Sequence, residues 1–188
     1  MGMKTERLNT LIFLHRIWYT QNMKNIAYID GQNLYLGVRE AGFIIDYKKL
    51  RIYLKDKYHI DEAYYFLGFI NESENELYTN LQKAGFIIVF REHSELLAGK
   101  KKGNIDADLI FEVMKKIAEE RNNFDKILLI SGDGDYKKLV DYLILKDKFI
   151  KILFPNKKFA SSLYKKITRK YFDYIENIRK YIEYERGQ

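Results

Sequence analysis

The stretch ILLISGDGDYKKLV, Ile127–Val140, decides how this chain is read. Four apolar residues in a row suit a strand covered on both faces. Ser-Gly-Asp-Gly-Asp interrupts them, and helical spacing follows from Asp135 onward. Two aspartates spaced by glycines thus stand where a buried strand ends.

The same alternation extends in both directions. NIAYID (25–30) reads as a strand, followed by a helix carrying Leu34, Val38 and Ala41 on one side. DYKKLRIYLKDKY (46–58) reads as a helix, EAYYFLGFI (62–70) as a strand, and ESENELYTNLQKAG (72–85) as a helix ended by Gly85. FIIVFRE (86–92) is a strand, SELLAGKKKGN (94–104) a loop and IDADLIFEVMKKIAEER (105–121) the clearest helix. After KILLIS (126–131) come a helix over 135–146 and the strand FIKILF (149–154). The tail from Lys157 reads as mostly helical, with YFDYIE (171–176) open between helix and strand. Strands alternating with helices predict an α/β fold with a mostly parallel central sheet and helices on both faces. In such sheets ligands bind beyond the carboxyl ends of the strands.

A chain of 188 residues, 47% hydrophobic and 31% charged, is one globular domain with a real core, not a disordered segment. The absence of cysteine excludes disulfides, thiolate metal sites and cysteine nucleophiles, and fits a cytoplasmic protein. Only His15, His59 and His93 could supply imidazole, too few for a histidine-built zinc site. A net charge of +7 suits a nucleic-acid partner, and equally a composition rich in Lys, Ile, Tyr and Asn. LIFLHRIWY (11–19) is broken by His15 and Arg16 and is far short of the ~20 residues of a membrane span. No membrane partner is expected. Residues 1–22 are either an extra amphipathic helix or an over-long start before Met23. The organisation expected is this extension, a domain over 23–176, and a helical tail over 177–188.

Acidic residues gather at one edge of the expected sheet. Asp30 ends the first strand, and Asp133 and Asp135 follow the strand that ends in Ser131. Glycine beside them permits sharp backbone turns. Projected at about 100° per residue, Asp106 falls within the apolar stripe of Leu109, Ile110, Val113 and Ile117, while Asp108 and Glu112 fall opposite. An inward carboxylate is costly unless a partner or metal meets it. Each acid has a plainer use as a helix cap or strand-end residue. Together they would repel one another strongly without a cation. Oxygen donors with few histidines suit Mg²⁺ or Mn²⁺. A calcium loop, a P-loop and G-x-S-x-G are all absent.

YIDGQNLY, KGNIDADLIFEV and ILLISGDGDYKKLV, in this order, resemble the NYN domain of the PIN-like nucleases, and the LabA-like branch fits best. The resemblance covers roughly Lys24 to Ile175. It extends weakly to ASSLYKKITRKYFDYI. It implies a Rossmann-like PIN fold and a metal-dependent ribonuclease. The family's acidic cluster maps onto Asp30, Asp106, Asp133 and Asp135, its first-motif asparagine onto Asn33 and its serine onto Ser131. Asp108 departs from the small or apolar residue usual there.

The reaction expected is hydrolysis of an RNA phosphodiester. Asp30, Asp106 and Asp133 would hold Mg²⁺ or Mn²⁺, Asp135 would orient a water or a second ion, and Asn33 and Ser131 would fix side chains or contact phosphate. RNA would pass along Lys100, Lys101, Lys102 and Arg91, with His93 nearby, unless that loop is merely solvated. Tyr35 could stack on a base, although core packing is its commoner use. A homodimer is possible. Three rivals stand: a nucleotide-sugar transferase using Asp-x-Asp, a haloacid-dehalogenase-type phosphatase, and a non-catalytic RNA- or protein-binding module of the same fold. The transferase leaves Asp30 and Asp106 idle. The phosphatase needs its Asp-x-Asp on the first strand.

Overall fold

A computed structural model describes residues 24–91, 105–119 and 124–185. Residues 1–22, the whole 94–104 loop and His93 therefore lie outside the described residues. So do Lys100, Lys101 and Lys102.

Six parallel strands form one sheet in the order β3-β2-β1-β4-β5-β6. They are β1 (Asn25–Asp30), β2 (Ile60–Leu67), β3 (Ile87–Phe90), β4 (Ile127–Ile130), β5 (Phe149–Phe154) and β6 (Phe172–Tyr174). The helices between them are α1 (Gly31–Glu40), α2 (Tyr47–Tyr58), α3 (Asn75–Ala84), α4 (Ile105–Glu119) and α5 (Lys137–Leu145), and α6 (Arg179–Ile182) is a single late turn. Every residue of β1 and β4 is buried, which is why both read as unbroken apolar runs.

The two faces carry separate cores. Leu34 and Val38 of α1, Leu50 and Leu54 of α2 and Leu81 of α3 pack with Ala27, Ile29, Ala63 and Leu128 on one face. Leu109 and Val113 of α4 and Leu139, Val140 and Leu143 of α5 pack with Ile26, Tyr28, Phe66 and Leu129 on the other. The chain leaves β1 for one face and β4 for the other. These two strands are neighbours, with Ile29 paired to Ile130, so their connections diverge and open a crevice at the carboxyl edge.

Two readings are corrected. First, β2 stops at Leu67, and Gly68 and Phe69 belong to the following loop. Its partners run out there, because Asp30 pairs with Phe66 just before α1 begins and Leu67 pairs with Phe90 at the end of β3. Second, the tail is not mostly helical. It holds short 3-10 turns and α6, and the ambiguous YFDYIE supplies β6, whose Phe172 and Tyr174 pair with Ile152 and Phe154. Backbone pairing to an open sheet edge outweighs the local helical pattern. The glycines beside the aspartates turn the chain without a left-handed backbone; among the described residues the positive-φ glycines are Gly42 and Gly85. No described helix is long and apolar enough to cross a membrane.

Candidate metal centre

Asp30 is the last residue of β1 and the N-cap of α1, its Oδ1 accepting from the Asn33 N–H at 3.0 Å. Ser131 follows β4 directly, and its hydroxyl donates to Asp30 Oδ2 at 3.2 Å. The Ser131 hydroxyl oxygen in turn accepts from the Asp133 N–H at 3.1 Å. Asn33 reaches across the crevice, its Oδ1 accepting from the Gly132 N–H at 2.7 Å. Asn33 and Ser131 thus tie the β1 and β4 connections together.

Asp133 Oδ1 accepts from the Asp135 N–H at 3.0 Å and caps a 3-10 turn, Gly134–Tyr136, that leads into α5. Capping and site-building coexist, since each carboxylate oxygen carries two lone pairs. Asp106 lies in the first turn of α4 and is half-buried, while Asp108 is exposed as the helical projection requires. Glu112, on the same projected face as Asp108, is half-buried.

One oxygen from each of Asp106, Asp133 and Asp135 lies within 4.8 Å of the other two. Asp30 lines a cleft of about 410 Å³ together with Asp106 and Asp133. Its pKa is pushed up from 3.8 to about 6, first by burial and then by the charges of Asp106 and Asp133, against the Asn33 and Ser131 hydrogen bonds. An all-oxygen donor set held this close fits a hard divalent cation, which would relieve the repulsion.

Several residues of the site escape sequence reasoning. Tyr136 is fully buried and donates its hydroxyl to Asp106 Oδ1 at 2.5 Å. Burial and the surrounding carboxylates push its pKa far up, so it stays a donor. The Tyr164 hydroxyl donates to the Asp133 carbonyl at 2.9 Å. The direct continuation of SGDGD into Tyr136 was the only signal for the first, and nothing local signals the second. Gln32, Leu36, Phe69 and Ile105 also line the cleft, as does Arg91, whose guanidinium lies 5.0 Å from the Phe69 ring centre. Tyr35 is neither core nor cleft wall: it is 52% exposed, beside Arg39.

Gly132 is required by contact. A Cβ there would run into the carbonyl of Phe159. The segment after β5 therefore presses directly on the aspartate loop, and the Ser161 N–H donates to the Gly132 carbonyl at 3.0 Å.

The profile of the NYN domain matches residues 25–176. The chain belongs to the NYN domain family. Among curated proteins it is similar to the Low amplitude and bright protein LabA of Synechococcus elongatus, 22% identical over 165 residues, covering 83% of this chain and 86% of the relative. Among solved structures it is similar to a protein of unknown function from Vibrio parahaemolyticus, with a TM-score of 0.67 and 22% identity over 82% of this chain and 94% of that one. This NYN domain is accordingly of the LabA-like, PIN-like kind, with an acidic cluster at the sheet edge that can chelate a metal ion.

Proposed function

We propose that this NYN protein is a ribonuclease that hydrolyses RNA phosphodiester bonds with Mg²⁺ or Mn²⁺. The observation that carries the reading is the closure of Asp106, Asp133 and Asp135 to within 4.8 Å at the carboxyl edge of the sheet. Those three would hold the cation, with Asp30 beside them in the cleft. A bound divalent ion would supply charge neutralisation at the phosphate and a lowered pKa for an attacking water.

The chain's own groups prepare that site. Tyr136 orients Asp106, the Asp135 N–H and Ser131 hold the Asp133 segment, and the Ser131 hydroxyl with the Asn33 N–H sets Asp30. Preset partners of this kind spare the site reorganisation when charge develops. Arg91 adds a positive charge to a cleft otherwise dominated by carboxylates, a suitable contact for a phosphate. Lys100, Lys101 and Lys102 would extend the path. The absence of cysteine supports action in the cytoplasm.

The test is cleavage of labelled single-stranded and hairpin RNA with Mn²⁺, Mg²⁺ or EDTA, with Asp133→Asn alongside. Cleavage that needs the metal and falls by at least about 100-fold in the variant supports the reading. Undiminished cleavage by Asp133→Asn would place the chemistry elsewhere or in a contaminant. Binding without cleavage in any metal would make the protein a non-catalytic RNA-binding module of the same fold.

A further inference from the structure

The cleft that holds the carboxylates has a second chemistry. Leu36 of α1 and Phe69 of the β2–α3 loop line it while remaining 47% and 44% exposed. Single exposed apolar side chains are ordinary. These two share a concave site with a guanidinium, and Arg91 lies over the Phe69 ring. The arrangement is anchored to the sheet. The Arg91 N–H donates to the carbonyls of Leu67 and Gly68, each at 3.3 Å, which ties the end of β3 to the loop that carries Phe69. Gly68 leaves open space, with nothing within 4 Å of where its Cβ would stand.

An aromatic face beside a cation, next to a cluster that would hold a metal, matches one nucleotide. The base offers a π-face to Phe69 and apolar edge to Leu36, and the phosphate offers charge to Arg91. We propose that Leu36, Phe69 and Arg91 form a base-stacking subsite that takes one nucleobase out of its stack and sets which phosphate reaches the acidic cluster. A base inside a duplex has both faces covered and cannot enter. The inference rests on the ribonuclease reading for what happens at the cluster, but the subsite itself is tested by binding.

The probe is a single-stranded RNA octanucleotide carrying one 2-aminopurine between two abasic positions, so that no neighbouring base quenches it beforehand, titrated with the full-length protein in EDTA and again in Ca²⁺. Stacking quenches 2-aminopurine, so wild type is expected to quench it on binding. Phe69→Ala should abolish the quench and weaken binding roughly 5- to 150-fold. Phe69→Trp should restore both. Phe69→Leu, which keeps apolar volume and protects the fold, should lose the quench. An abasic site in place of the 2-aminopurine should weaken wild type and leave Phe69→Ala unaffected. Equal quenching and affinity in wild type and Phe69→Ala, or wild-type binding without quenching, would overturn the subsite. Cleavage of the same RNA in Mn²⁺ is read separately. A Phe69-dependent quench without cleavage would sustain the subsite and sink the ribonuclease reading. Cleavage without Phe69 dependence would do the reverse, and no binding under any condition would remove the subsite outright.

Discussion

Asp30 shows what it costs to build an acidic site at the end of a buried strand. Its pKa stands near 6 when folded against 3.8 ordinarily. The folded state thus holds the proton more tightly than the unfolded chain. The stabilisation is full below about pH 4 and is lost as pH rises through about 6, on the order of 3 kcal/mol in total. In EDTA the protein should therefore melt at a lower temperature at pH 7.5 than at pH 5. Asp30→Asn keeps the capping oxygen and removes the charge. It should melt higher than wild type at pH 7.5, with the gap closing toward pH 4, while metal-dependent activity falls. Thermal melts across that range check this, and parallel curves for the two proteins would refute it. Tyr136→Phe removes only the hydroxyl that sets Asp106. It should weaken Mn²⁺ binding roughly 10- to 100-fold by calorimetric titration, with the fold retained. The aspartates were legible as residues because strand ends and helix faces follow local periods. Tyr136 was not, because a buried tyrosine in an amphipathic helix start looks the same whether or not its hydroxyl has a partner.

At the scale of elements, the connection after β5 is a brace for the site. Asn156 is buried, donates to the Gly37 carbonyl at 2.6 Å and accepts from the Phe159 N–H at 3.0 Å. It thereby pins Phe159 between α1 and the Gly132 loop, where both Gly37 and Gly132 leave no room for a Cβ. Asn156→Ala leaves a buried N–H unmatched and should cost about 1–3 kcal/mol. The expected signs are a lower melting temperature and weaker Mn²⁺ binding, since the aspartate loop loses its backing. A lower melting temperature with unchanged metal affinity would show that the brace serves the fold alone. The elements that the sequence misassigned lie here and at β2. Strand ends depend on where neighbouring strands stop, and β6 is held by pairing to β5 more than by its own pattern.

At the scale of the whole molecule, the end of the chain is tied into the domain. Ile182 is fully buried and Ile178 nearly so. The Asp46 N–H donates to the Ile182 carbonyl, the Tyr184 N–H to the Ile44 carbonyl, and Lys49 Nζ to the Glu183 carbonyl. A chain ended at Glu176, where the family match stops, should lose roughly 3–6 kcal/mol from the two isoleucines alone. Circular-dichroism melts should show a much lower transition or none; an unchanged transition would make residues 177–188 an appendage.

By itself the sequence determined the alternation of strands and helices, the parallel sheet and the acidic residues at its carboxyl edge. These follow from hydrophobic period and from what can end a buried strand, both readable within a dozen residues. Which acids meet was decided only by tertiary structure. Asp30 and Ser131 are 101 positions apart and touch because β1 and β4 are neighbours at the point where the strand order reverses. Asp135 closes on Asp106 and Asp133, Tyr136 finds Asp106, and Phe69 and Arg91 join the cleft for the same reason. Strand order fixes these distances, and no local period encodes it.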